Sequence, residues 1–399
     1  MDVTEEQLEL LRSAIVQKQP FCSGALPLSP ENFILFYGKD DVAHRIDLSQ
    51  ASDDALKLLS ETCDAATFGL NGQDVLDESY RKAGKLDISH FAFNFDVYHS
   101  GLINTIREHL LEGTPATRPI RAELYKLNVY GKDSFFRSHK DTPRGSTMFG
   151  TLVIVFPTRH EGGALVLRHD EKEWTFDSAE VVSDEPKPSI AYITFYSDVE
   201  HEVLPVESGY RVTITYNLHF EKANGSPPRS LPKPIPHALD NEARFMDVLK
   251  TLLDDPTFLS DGGRLGFGLH HQYAISQDPS DRELQRLCAS LKGSDAVLKA
   301  VCDDLSLCAF LELVYINLNN GQEEEEQEAW AQMFDRCITE DEDDDDPSES
   351  GIHWVTERTT YNTFETSFPF YGNEPSIGTA YAEICMLVQI GKLGKRASI

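Results

Sequence analysis

Two imidazoles and a carboxylate open the functional reading of this 399-residue sequence. His139 and Asp141 stand two residues apart, just after a strand-like run ending at Tyr130, and His201 opens a second such run further along. Gathered on one face, two histidines and one aspartate make the facial triad that suits non-haem Fe(II). Three protein ligands leave three positions for a chelating co-substrate and O2. Side chains at i and i+2 of a strand share a face, so His139 and Asp141 can reach one metal. Arg211 lies ten residues beyond His201, where Val212, Ile214, Tyr216 and Leu218 take one face and Arg211, Thr213 and Thr215 the other. A buried arginine on the metal side needs an anion, and a bidentate carboxylate is its natural partner.

The HxD spacing has little specificity alone, since thirteen histidines in an Asp-rich chain give about one such match by chance. Two HxE runs, His169-Asp170-Glu171 and His219-Phe220-Glu221, carry the same ligand types. Neither has a second histidine and a downstream arginine in place, so both read as surface or strand-edge residues. Taken singly, His139 and His201 also read as hydrogen-bonded structural histidines. Their conjunction with strand context and Arg211 favours the metal.

The elements that must position these residues repeat with a period of two. Strands are expected over 122–130, 149–157, 163–169, 173–176, 189–196, 201–204 and 210–220, punctuated by glycine and proline. With no helical pattern between them, they predict a sandwich or jelly roll over 120–222. Before it, 1–119 reads as a mixed α/β region packing on that core. Thr4-Glu5-Glu6-Gln7 fits a capping box ahead of Leu8, Leu11 and Ile15, and further helices are expected over Ser52–Cys63 and Leu102–Leu111. After the core, Pro-rich 223–236 reads as a linker. Residues 237–399 then read as a mixed α/β accessory domain with helical periods through Phe245–Leu252 and Val297–Leu305 and strand-like ends. The Gly262–Gly268 run reads as turns, and adjacent His270 and His271 as pointing to opposite sides of a strand.

The run YGKDSFFRSHKDTPRGSTMFGTLVIVFPTRHEGGALVLRH, followed by PSIAYITFYSDVEHEVLPVESGYRVTITYNL, resembles the prolyl 4-hydroxylase-type 2-oxoglutarate/Fe(II) dioxygenases over about 121–220. The shared pattern is a Tyr-Gly turn, an aromatic, HxD, a Gly-Gly strand start, S-x-x-x-H-E-V-x-P-V and a basic residue on the last strand. Parts of 47–87 resemble the leader of fungal proteins of this type. The resemblance implies an α+β fold: a double-stranded β-helix (jelly-roll) catalytic core, N-terminal helices and a C-terminal accessory domain. It implies oxidative decarboxylation of 2-oxoglutarate to succinate and CO2 with Fe(II) and O2, ascorbate serving as reductant. That reaction is coupled to hydroxylation of a C–H bond, in a prolyl or other protein residue, or alternatively in a small-molecule metabolite. By resemblance, His139, Asp141 and His201 are the iron ligands, Arg211 pairs with the distal carboxylate of 2-oxoglutarate, and Tyr130 lines the co-substrate pocket. Family members often place a tyrosine on the 149–157 strand to assist the arginine. Val155 takes that position here, and Thr151 either supplies a hydroxyl instead or is an ordinary β-branched strand residue. An intact Asp141 favours hydroxylation over halogenation, in which the carboxylate gives way to chloride.

Charge bounds the alternatives. The formal net charge is -30, from 36 basic and 66 acidic residues, which argues against a nucleic-acid clamp or demethylase. Fourteen acids and one arginine fall within 321–350, a segment that reads as a solvated loop or a docking element for a basic partner. A non-catalytic jelly roll with that segment as recruiter is the competing reading from another class. Lys132, Arg137, Lys140 and Arg144 form a local basic rim near the expected metal, read as solvated turn charges or as steering for an acidic ligand. No apolar run approaches the ~20 residues that span a bilayer, and the acidic N-terminus lacks the basic region of a secretory signal. Seven scattered cysteines without CxxC argue against a disulfide framework. An intracellular address, cytoplasmic or nuclear, is the expectation.

Overall fold

The computed structural model describes residues 3–397 apart from 71–72, 143–144, 146, 184, 186, 222–235, 276–278, 318–337, 342–350, 360–362 and 372–374. The expected linker, up to Pro236, and most of the acidic segment lie outside the described residues. The chain divides into two units, one of Gln19–Leu110 with Arg118–Ser230, the other of Met1–Lys18, Leu111–Thr117 and Leu231–Ile399. Among the described residues no helix is long and apolar enough to cross a membrane.

The first unit is built on two antiparallel sheets. One has seven strands in the order Phe21–Pro27, Ser189–Tyr196, Met148–Val155, Arg211–Phe220, Ile120–Tyr130, Gly84–Asp87 and Asp64–Ala65. The other has five, Lys172–Phe176, Leu165–His169, Glu200–Val203, Phe135–His139 and Arg81–Lys82. All seven strands expected between 122 and 220 are present, and the fold is the mixed α+β jelly roll anticipated. Three more strands, Phe135–His139, His160–Gly162 and Val206–Gly209, lie among them. A six-residue helix, Ser178–Ser183, interrupts the stretch expected to hold none; the Asp177 carboxylate accepts from the Ala179 amide at its start.

Sequence period alone does not reveal that both sheets recruit strands from 21–87. Phe21–Pro27 pairs along its whole length with Ser189–Tyr196, a strand buried at every position. The helices Asp53–Thr62 and Leu102–Leu110 lie against the larger sheet. They bury Leu56 and Leu59, and Leu102, Ile103, Ile106 and Leu110, each worth about 1.5–3 kcal/mol out of water. The opposite face of that sheet carries Arg211, Thr213, Thr215 and Asn217 on one strand and Asn128 and Tyr130 on its neighbour, with Tyr130 opposite Arg211. A bulge between Leu124 and Lys126 turns both Tyr125 and Lys126 to this polar side, which strict alternation forbids.

The second unit folds around its own core. Its sheet runs Ile338–Asp341, Cys308–Asn317, Pro375–Ile390, Gly263–Gly268 and Ile352–Thr356, with Thr363–Tyr371 also paired to Pro375–Ile390. The helices Glu5–Ala14, Pro236–Asp254, Asp281–Cys288 and Gly293–Asp304 belong with it. Thr4 and Gln7 form the expected capping box, Thr4 Oγ1 accepting from the Gln7 amide and Gln7 Oε1 from the Thr4 amide. Leu8, Leu11 and Ala14 then pack with Phe245, Leu249 and Leu252, so the start of the chain joins the later unit and not the 19–110 region. An apolar stripe goes wherever a complementary one exists.

Three expectations for this unit are revised. The glycine run is a strand, Gly263–Gly268, between Pro375–Ile390 and Ile352–Thr356. A Cβ on Gly266 would lie 2.6 Å from the Trp354 ring and 2.7 Å from Ile352, so the glycine makes room for Trp354. His270 and His271 lie beyond that strand, and their backbone amides donate to the buried Asp295 carboxylate. Within the acidic segment, Ile338–Asp341 is a strand parallel to Cys308–Asn317, where a loop was expected.

Candidate metal centre

His139 closes the Phe135–His139 strand and lies directly opposite His201 on Glu200–Val203, their ring centroids 4.2 Å apart. Asp141 sits two residues past the end of its strand, Oδ1 3.9 Å from His201 Nε2. One ligand atom from each of the three falls within 4.8 Å of the others. The sequence-predicted cluster is therefore assembled by one cross-strand register and one turn.

Both rings are oriented by the chain around them. His139 Nδ1 is 2.8 Å from the Arg137 carbonyl, and His201 Nδ1 is 3.0 Å from the Val199 carbonyl. A carbonyl only accepts, so Nδ1 carries the proton in each ring and Nε2 keeps its lone pair for a metal. Burial, aided by His201, Arg81 and Lys126, pushes His139 down to about 2. The imidazole is neutral and ready to ligate.

The third candidate ligand is held by Thr151, whose Oγ1 donates to Asp141 Oδ2 at 2.6 Å. The Thr151 hydroxyl, expected either to serve the co-substrate or to be an ordinary strand side chain, lines the cavity and bonds Asp141. Thr151 is on the inner face of Met148–Val155, and Asp141 arrives beside it from the turn, a contact no local pattern encodes. Thr151 and Val153 line the site, whereas Val155 does not.

A cavity of about 500 Å³ opens on the triad, lined also by Tyr130, Phe195, Arg211 and Thr213. Arg211 is only 1% exposed, and its Nε and Nη2 are buried without hydrogen-bond partners. No described carboxylate lies within ion-pair distance of it, and burial lowers its pKa. The guanidinium stands 5.7 Å from the centre of the Tyr130 ring. Room for it comes from Gly163, which has φ +75; a Cβ there would lie 3.1 Å from Arg211 Cδ and 2.8 Å from Val206. The Gly-Gly of the sequence pattern thus clears the arginine's path.

Arg81 and Phe136 also line the cavity; the shared pattern marked an aromatic before HxD but gave neither residue a role. Phe136 stacks on His139 with centroids 3.6 Å apart, and the Arg81 guanidinium lies 4.3 Å above Phe136. Arg81 stands next to Tyr80 in a run matched only loosely, and its partners are far away in sequence.

The remaining candidates fall elsewhere. His169 ends its strand, as a strand-edge reading anticipates, half-buried with Nε2 3.2 Å from Asp198 Oδ2. Asp170 and Glu171 make the tight turn that follows. His219 bonds Thr147 at the far end of the Arg211 strand. Lys132, Arg137 and Lys140 are exposed, and of these Lys140 lines the cavity; Arg144 lies outside the described residues.

This donor set fits Fe(II): two imidazole nitrogens and one carboxylate, with an unpaired buried cation alongside for an anionic chelator. Residues 125–219 match the family model of the 2OG-Fe(II) oxygenase superfamily. A comparison with curated proteins gives no match. Solved structures that are similar include a prolyl-4-hydroxylase from Pseudomonas putida, 15% identical, covering 54% of this chain and 100% of that chain, with a TM-score of 0.30. Another is a prolyl hydroxylase from Trichoplax adhaerens in complex with a hypoxia inducible factor peptide fragment, at 18% identity, 57% and 99% coverage, and a TM-score of 0.33. A third comes from the prolyl 4-hydroxylases of Phytophthora capsici, at 15% identity, 76% and 87% coverage, and a TM-score of 0.26. The matched stretch is a 2OG-Fe(II) oxygenase domain, and the protein is a dioxygenase that uses Fe(II), 2-oxoglutarate and O2.

Proposed function

We propose that this prolyl 4-hydroxylase-like dioxygenase hydroxylates a C–H bond in a prolyl or other residue of a protein substrate, with His139, Asp141 and His201 holding Fe(II). The observation that carries the assignment is the buried, unpaired Arg211 on the same cavity as the three donors. A guanidinium kept from water without a counter-ion is costly unless an anion arrives, and the distal carboxylate of 2-oxoglutarate is suited to its fork.

The bound metal and co-substrate supply the oxidising chemistry, one oxygen atom of O2 going to the substrate and the other to succinate. The protein's own part is positional. The Arg137 and Val199 carbonyls aim the two imidazoles, and Thr151 fixes the carboxylate. Arg211 anchors the co-substrate's far end and Tyr130 walls it, while Phe136 and Phe195 flank the histidine rings and keep water from them. The prolyl assignment rests on the motif resemblance around His139 and His201. A second reading, hydroxylation of a small metabolite, is favoured by the cavity of about 500 Å³, which is within the usual size for small ligands.

Anaerobic addition of Fe(II) and 2-oxoglutarate should give a visible charge-transfer band, and a folded protein without one refutes the assignment. Mass spectrometry of lysate treated with the enzyme, searched for the gain of one oxygen atom in peptides and in metabolites, separates the two substrate classes.

A further inference from the structure

The hydroxylase reading leaves Arg81 without a task. Its strand, Arg81–Lys82, edges the five-stranded sheet, yet the residue is only 4% exposed. Nη1 donates to the Thr67 carbonyl at 2.6 Å and Nη2 to Asn128 Oδ1 at 2.9 Å; Nε is buried with no partner. No described carboxylate lies within ion-pair distance. Tying the two sheets together needs no charge, since a neutral amide could make both hydrogen bonds without the desolvation cost of a cation. The cavity thus holds two buried guanidiniums lacking counter-ions, Arg211 from the seven-stranded sheet and Arg81 from the other.

Resting on the proposed hydroxylase reading, we infer that Arg81 anchors a carboxylate of the substrate, so that the enzyme selects acids over their neutral counterparts. Arg211 serves the co-substrate, which leaves Arg81 for a second anion. Geometry sets its reach. Arg81 lies on one face of Phe136, and the metal ligand His139 stacks against the same ring. A carboxylate at Arg81 would therefore share the cavity with the metal-binding histidines, beside the ring on which His139 stacks. Lys126, whose Nζ lies 4.2 Å from the centre of the Tyr125 ring, adds positive charge to the same cavity. The acid is either the free carboxylate of a small molecule or an Asp or Glu side chain beside the hydroxylated residue of a peptide.

Calorimetry on the full chain tests this, with Zn(II) in place of iron and N-oxalylglycine filling the co-substrate position. Two series of paired probes are titrated: N-acetyl amino acids against their amides, and short proline-centred peptides bearing Asp or Glu against Asn or Gln. The wild-type protein should bind at least one acid about tenfold more tightly than its neutral twin. The series that shows the preference identifies the source of the carboxylate. In R81Q the preference should disappear; if R81Q does not fold, R81K, which keeps charge without the planar fork, should weaken it about threefold or more. No acid preference in either series, including no binding at all, overturns the inference, as does a preference that survives R81Q. A missing Fe(II)/2-oxoglutarate band would instead defeat the hydroxylase reading. A normal band without acid preference defeats this inference alone.

Discussion

Replacing Thr151 by valine keeps the volume and β-branching of the strand residue and removes one hydrogen bond, that from Oγ1 to Asp141 Oδ2 at 2.6 Å. A bond to a charged group contributes about 1.5–3 kcal/mol, and partners that orient metal ligands typically govern metal affinity by about 10–100-fold. The Asp141 side chain is 22% exposed, so water can partly replace the lost donor and the effect should fall at the lower end. Metal affinity should therefore drop about tenfold, or about 1.4 kcal/mol. Competition titration of Co(II) or Zn(II) against a chelator reads this directly, and T151S should recover most of it. At saturating iron, the 2-oxoglutarate requirement of T151V should be unchanged. Wild-type metal affinity together with a raised 2-oxoglutarate requirement would refute the reasoning, and would return Thr151 to the co-substrate role that the sequence suggested.

Four other outcomes are expected. H139A and D141A should abolish conversion of 2-oxoglutarate to succinate, followed by proton NMR, while melting cooperatively. R211M should raise the 2-oxoglutarate requirement more than tenfold, by loss of a charge-assisted pair, and the metal-free variant should melt no lower than wild type because a buried, unpaired charge is gone. G163A should destabilise by about 1–2 kcal/mol, because an L side chain at φ +75 is strained and its Cβ meets Val206 at 2.8 Å; an unchanged melting temperature would contradict this. Stability of the metal-free protein should fall as pH drops below about 6.5, since His139, with its folded pKa lowered to about 2, must take up a proton on unfolding that it refuses when folded. H139Q should flatten that slope in pH-dependent melting curves.

What the sequence revealed follows from how local each signal is. The capping box at Thr4 and Gln7 lies within a single helical turn, and the seven strands between 122 and 220 alternate over their own length. The ligand types and their strand context were legible for the same reason. The recruitment of Phe21–Pro27 and Arg81–Lys82 was not, because both depend on partners more than fifty residues away. Gly266 is a turn former in isolation and a strand residue beside Trp354. Thr151 was marked as a hydroxyl facing the site, but only the folded turn reveals that Asp141 takes it. Tyr125 escaped because a bulge shifts the alternation by one residue.

The opposition of His139 to His201 across one antiparallel pair has a kinetic consequence. Loop-closure entropy must be spent on a long excursion before those two residues meet, and that excursion includes Met148–Val155, Leu165–His169 and Ser189–Tyr196 of the surrounding sheets. Pairing of the two strands is what brings both imidazoles to one place. Iron should load after the sheets have closed, so protein made in its absence should fold first and take up the metal on later addition. A strand slip of one residue would turn one histidine away from the other, making metal uptake a readout of correct strand pairing.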